Sequence, residues 1–344
     1  MKKKIVCLII AVMFVASGCG DLEIKYFTRI NPDGSIFKRI VATGDSSRVY
    51  NNPFPFQLTK EWAVTYASKV DTANGDTVFI ASVERTFSSW QKADAIIYRP
   101  EDTLDCENID IDYRRKFRWF FTYHIYKEVF LQRFPFRHVS IDDYLSPKEY
   151  AYFVEDDSTV VVGMSKDEMK QFDEKGEKHF WNFLNKTIFI EFEKYLDAYV
   201  AECNMPVMTN EMKQQLEEFM NFSLLEGAEL YSICLKVDEL TKSSWSTSAY
   251  HSGYFEKLEK SMDADFLLLG NDRDIKAEIE VPGILYATNA QQVDDNCVKW
   301  EFQDNVFQYK DYTLEVQFRT INLWAILVSL IIMLILLWLI FKRK

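Results

Sequence analysis

The chain has 344 residues, 48% of them hydrophobic, with 40 Lys and Arg against 52 Asp and Glu, for a net charge of −12. So acidic a protein is a poor partner for nucleic acid, whose phosphates call for a basic face, and over most of its surface it repels anionic headgroups. The length suffices for one large or two ordinary domains.

Lys2-Lys3-Lys4 leads into an apolar run from Ile5 to Val15 and then Ala16-Ser17-Gly18-Cys19. These are the parts of a secretory signal. The apolar run is about a dozen residues, short of the roughly 20 that cross a bilayer as a helix. Ala16-Ser17-Gly18-Cys19 resembles the lipobox of bacterial lipoproteins, with Ala16 where Leu or Val is usual. The resemblance implies removal of 1–18 and acylation of Cys19 by a palmitate-type chain. The alternatives are an ordinary signal peptide and an uncleaved signal anchor.

Beyond Cys19 the pattern predicts antiparallel sheet. Leu22 to Ile30 and Ser35 to Ala42 flank Asn31-Pro32-Asp33-Gly34, a strong hairpin signal. Trp62 to Val70 and Thr77 to Phe87 form a second hairpin around Asn74-Gly75. Tyr113 to Gln132 is a third strand-rich stretch, with Phe117, Trp119, Phe121, Tyr123 and Ile125 on one face and Arg118, Phe120, Thr122, His124 and Tyr126 on the other. From Arg114 to His138, the cations Arg114, Arg115, Lys116, Arg118, Lys127, Arg133 and Arg137 stand against Glu128 alone, with aromatics between them. Such a strip fits lipid headgroups, a polyanionic glycan or an acidic patch of the same domain. The last is preferred, because a fold must balance its charges somewhere.

The middle, about 145–262, turns helical. Ser146-Pro147-Lys148-Glu149 and Ser165-Lys166-Asp167-Glu168 are capping boxes. After Gly176, the positions Trp181, Leu184, Ile188, Phe192, Tyr195 and Tyr199 recur at three or four, the stripe of a helix on a core. Thr209 or Asn210 caps a further helix carrying Met212, Leu216, Phe219 and Met220, and Ser252 to Met262 suggests a short one. Strands resume at Asp274–Val281, Ile284–Thr288, Asn296–Phe302 and Tyr309–Phe318. The fold class is therefore α+β, antiparallel sheet with a central helical insertion.

Ile321 to Phe341 is almost unbroken hydrocarbon, with Trp324 and Trp338 near its ends and Lys342-Arg343-Lys344 beyond. At 1.5 Å per residue it spans about 30 Å, the thickness of a bilayer core, and the basic tail favours the cytoplasm. The plan is thus 1–18 signal, 19–319 extracytoplasmic domain, 320–341 transmembrane helix and 342–344 cytoplasmic tail. Such a helix favours the inner membrane. Because Lys2, Lys3, Lys4, Arg319, Lys342, Arg343 and Lys344 flank the membrane segments, the ectodomain is more acidic than the whole chain. Its first strand leaves the bilayer and its last returns without a flexible linker, an arrangement that suits antiparallel neighbours lying side by side.

Cys7 leaves with the signal, so Cys106, Cys203, Cys234 and Cys297 remain for an oxidising compartment. Three pairings are open to them, as is a set of buried free thiols. His124, His138, His179 and His251 are scattered, without the spacing of a metal site. No nucleophile elbow, phosphate loop or dinucleotide fingerprint occurs, and no cofactor is implied. The acidic pairs Asp142-Asp143, Asp156-Asp157 and Asp294-Asp295 read as solvated loops.

Asn31-Pro32-Asp33-Gly34, Phe117 to Tyr123, Val281-Pro282-Gly283, Thr288-Asn289-Ala290 and Val298-Lys299-Trp300, taken with the two anchors, resemble lipoproteins of Bacteroidetes-type bacteria that keep a C-terminal membrane helix. In plan the chain also looks distantly like the LppM-type lipoproteins of actinobacteria. The resemblance implies an envelope role and carries over no catalytic residue. The expected function is non-enzymatic, through envelope proteins or lipids at the inner membrane. Binding and transfer of a lipid or other hydrophobic ligand comes second, and an envelope hydrolase third.

Overall fold

The structure is a computed structural model describing residues 22–50, 54, 58–70, 77–97, 108–223, 230–260 and 273–343. The signal segment, Cys19 and Cys106 lie outside the described residues. The chain divides into two compact units, a β unit (Met1–Leu131, Asp272–Asp304, Tyr312–Lys344) and a helical unit (Gln132–Asn271, Asn305–Asp311).

In the β unit, alternation of apolar and polar residues builds β1 (Glu23–Ile30), β2 (Ile36–Gly44), β3 (Ala63–Val70), β4 (Thr77–Phe87), β5 (Ile109–Phe117), β6 (Phe121–Phe130), β7 (Asp274–Glu280), β8 (Ile284–Thr288), β9 (Gln292–Asp294), β10 (Cys297–Gln303) and β11 (Tyr312–Ile321). They form a seven-stranded sheet, β3-β4-β2-β1-β7-β10-β9, and a four-stranded sheet, β5-β6-β11-β8. Pairing is antiparallel except between β1 and β7, which run parallel. The β1–β2 hairpin closes at Ile30↔Ile36, with Gly34 at φ 88°, a value glycine adopts without strain.

The buried faces of the two sheets meet. Tyr26 packs edge-on against Phe130 at 5.5 Å, and Phe130 against Phe302 at 5.4 Å. Among these rings lies a buried ion pair, Lys38 Nζ to Glu128 Oε1 at 2.7 Å. Thr28 and Tyr126 hydroxyls donate to the same carboxylate oxygen at 2.7 and 2.8 Å. A charge taken out of water needs such company, since its desolvation outweighs an unassisted Coulomb attraction.

Two sequence expectations are corrected. The first and last strands are not neighbours: β1 lies between β2 and β7, whereas β11 lies in the other sheet between β6 and β8. Each has both edges taken and one apolar face, so they belong to facing layers rather than to one ladder. The strand-rich stretch from Tyr113 to Gln132 folds back as a hairpin, so its faces do not run straight through 117–126: Phe117 opposes Thr122, and the turn closes where the Arg118 N–H donates to the Phe121 carbonyl at 2.8 Å. Its turn holds neither Gly nor Pro, which hides it from turn chemistry.

In the helical unit both capping boxes form, at Ser146 with Glu149 and at Ser165 with Glu168. The second opens a 38-residue helix, Lys166–Cys203, that runs through Gly176. A Cβ at Gly176 would meet the Phe153 ring at 2.0 Å, so the glycine makes room for a ring and does not end the helix. Of the predicted stripe, Leu184, Ile188 and Phe192 are buried, joined by Phe183 and Leu196, in a core with Leu216, Met220, Ile233, Val237 and Phe255, while Trp181, Tyr195 and Tyr199 are partly buried against it. Tyr309, expected in the last strand, belongs to this core, with its ring 5.2 Å from Phe134 and 5.6 Å from Phe183.

The C-terminal helix Leu323–Lys342 has 20 residues and a mean hydropathy of 3.0 in its most apolar window, 6% of which is buried. It is long and apolar enough to cross a membrane, and its low burial separates it from the core helix of a soluble protein.

Candidate functional site

The basic strip does not stay together. Lys127 pairs with Glu315 on the neighbouring strand at 2.6 Å, and the Glu315 carboxyl is held below its usual range first by that hydrogen bond. Arg133 is buried in the helical unit, where its N–H donates to the Phe307 carbonyl at 3.0 Å. Arg137, also there, donates to the Gln132 carbonyl at 3.1 Å and lies 3.6 Å from Asp311. For Lys127 and Arg137, charge balance within the fold is the observed outcome.

Arg114, Arg115, Lys116 and Arg118 do converge. With Tyr123, Ile125 and Tyr286 they line a groove of about 810 Å³ on the four-stranded sheet. The register explains the set: Arg114 opposes Ile125 and Lys116 opposes Tyr123 across β5 and β6. Tyr286, on β8, meets the edge of Tyr123 at 5.8 Å. The four cations are exposed, and Arg114 reaches Asp112 at 2.8 Å. Arg115, Lys116 and Arg118 form no ion pair among the described residues.

Beneath the groove His124 is buried and stacked on Phe318 at 4.5 Å. Its Nδ1 meets the Tyr113 hydroxyl at 2.7 Å and its Nε2 the Thr320 hydroxyl at 3.0 Å. Burial, and then the Arg115 charge, push its pKa down to about 4. Burial pushes Tyr113 up to about 12. Both stay neutral near pH 7, so the groove's charge is that of its arginines and lysine.

The groove ends where the apolar helix begins. Asn322 Nδ2 donates to the Arg118 carbonyl at 2.7 Å and to the Trp119 carbonyl at 3.2 Å. The Asn322 N–H donates to the Phe120 carbonyl at 2.9 Å, and its Oδ1 accepts from the Thr122 hydroxyl at 3.0 Å. Trp324 stacks on Phe117 at 6.0 Å and meets Trp119 edge-on at 5.5 Å. Phe117, Trp119, Phe120, Ile284 and Tyr286 are each about half exposed. A cluster of guanidinium forks beside half-exposed aromatics is chemically suited to a phosphate-bearing amphiphile, the forks taking oxygens in pairs and the rings lying along the apolar part. Lipid headgroups are one of the three readings the sequence leaves open for the strip, and not the preferred one. Asn322, which holds the hairpin to the helix, had no signal, because its partners lie some 200 residues earlier in the chain.

Cys203, Cys234 and Cys297 are free thiols, so no disulfide joins any two of them. Cys234 faces the helical core, where burial raises its pKa to about 11, whereas Cys203 is exposed at a helix end. Among the described residues no group of three or more His, Cys, Asp or Glu is placed to hold a metal ion.

No protein-family model matches the chain, and no curated protein matches it. Among solved structures, the folded domain of the Mycobacterium tuberculosis protein LppM, determined by NMR, is similar over 88% of this chain and 93% of its own. The identity is 9% and the TM-score 0.31, a distant likeness.

Proposed function

We propose that this is a non-enzymatic lipoprotein of the bacterial envelope, of the Bacteroidetes type, that holds an anionic lipid headgroup at the membrane surface. Its C-terminal helix crosses the inner membrane, the basic tail stays in the cytoplasm, and acylated Cys19 is the second tether. The observation that carries the reading is the Asn322 clamp, which ties the groove's hairpin to the first residues of the apolar helix. A cationic groove held at the foot of a span lies at headgroup height. There it offsets the repulsion between an acidic body and an anionic surface.

Native mass spectrometry of the full chain in mild detergent tests this, with phosphatidylglycerol or phosphatidylcholine added. The wild type is expected to retain the anionic lipid preferentially. Replacing Arg114, Lys116 and Arg118 by Ala removes about 1 kcal/mol per charge, about 3 kcal/mol together, and weakens retention roughly 100-fold. Equal retention by the triple variant would overturn the assignment.

Scaffolding of an envelope protein is the second reading, favoured by β3. That strand closes one end of the seven-stranded sheet and is exposed along its whole length, Val64, Tyr66 and Val70 included. Among the described residues no strand pairs with its outer edge, and an edge of this kind accepts a partner's strand.

A further inference from the structure

From the tip of the β5–β6 hairpin we infer that the turn Arg118–Phe120 enters the hydrocarbon of the bilayer beside the C-terminal helix, as a short re-entrant wedge. The inference rests on the reading of Leu323–Lys342 as a span. It goes beyond the headgroup groove, because its partner is the acyl layer rather than the phosphate.

Depth comes from one hydrogen bond. The Trp119 indole N–H donates to the Ser329 hydroxyl at 2.9 Å. Ser329 lies six residues beyond Leu323, about 9 Å along a helix rising 1.5 Å per residue. Trp324, the aromatic expected at the interface, lies between the two. Trp119 therefore reaches past interfacial depth.

The carbonyls of the turn are each supplied with a donor. A free carbonyl in hydrocarbon costs several kcal/mol, which excludes irregular backbone unless its polar groups are satisfied internally. Here Asn322 serves the carbonyls of Arg118, Trp119 and Phe120 at once. The Arg118 N–H is satisfied by the Phe121 carbonyl.

The side chains agree. Phe117, Trp119 and Phe120 crowd one tip and stay about half exposed, an apolar surface that water disfavours and acyl chains accept. Arg114, Lys116 and Arg118 sit just before or within the turn, with stems long enough to lie along the tip while their charges reach the headgroups.

Photo-crosslinking of the full chain in liposomes tests this, with p-benzoylphenylalanine placed singly at position 120, 332 or 66. Position 332 lies mid-helix and position 66 on the exposed strand β3. Lipid adducts are expected from 120 and from 332, with background yield from 66. Adducts from 332 but only background from 120 would overturn the wedge and leave the span intact. Background from 332 would overturn both. Repeating the measurement in neutral phosphatidylcholine separates the wedge from the headgroup groove. The adduct at 120 is expected to persist there, and its loss would count against insertion.

Discussion

The β5–β6 hairpin is built in two ways along its length. At its open end charge is answered by charge: Lys127 meets Glu315, and Glu128 is buried against Lys38 with Thr28 and Tyr126 in support. Toward the turn Arg115, Lys116 and Arg118 have no acidic partner among the described residues, and the backbone leans on Asn322 instead. Paired charges hold the sheets together, and cations left over are free to meet something outside the protein. Position on the hairpin, more than residue type, separates the paired cations from the unpaired ones.

The largest test of this contrast is at the open end. Lys38→Met strands Glu128 in the core and is expected to lower stability by about 3–5 kcal/mol, read as thermal unfolding in detergent. Adding Glu128→Gln should recover part of the loss, because a neutral amide still accepts from Thr28 and Tyr126. A single-variant loss below about 1 kcal/mol would mean that the open end does not depend on its buried pair.

A smaller effect is expected beneath the groove. His124 has a pKa of about 4 in the folded chain against 6.5 for the free side chain, so the unfolded chain takes up the proton more readily. Its contribution is complete above pH 6.5 and declines as pH falls toward 4. The loss is on the order of 1–2 kcal/mol once partial solvation of the ring is allowed for. A melting temperature followed between those pH values should fall in the wild type and stay flatter in His124→Gln. Parallel curves would remove His124 as the source.

The smallest effect belongs to Lys127 and Glu315, a partly exposed pair. Glu315→Gln should cost about 0.2–1 kcal/mol at low salt and less at high salt. A larger, salt-insensitive loss in chemical denaturation would place this pair with Lys38 and Glu128 in structural weight.

Much of the architecture could be read before any coordinates, because its signals are local. Asn31 to Gly34 closes a hairpin, Ser146 and Ser165 start helices, alternation marks the strands, and the uncharged run from Ile321 to Phe341 marks the apolar helix. Each depends on residues within a few positions of one another, where chain geometry alone brings them together. The turn at Arg118–Phe120, the placement of β1 and β11 in facing sheets and the dispersal of the basic strip had no local sign. They were decided by which strand edges were already occupied and by partners far away in sequence: Asn322 under the turn, Glu315 beside Lys127, Lys38 against Glu128. Sequence periodicity says which face of an element is apolar. Only tertiary structure says what lies opposite that face, because a contact's free energy depends on the neighbour it meets.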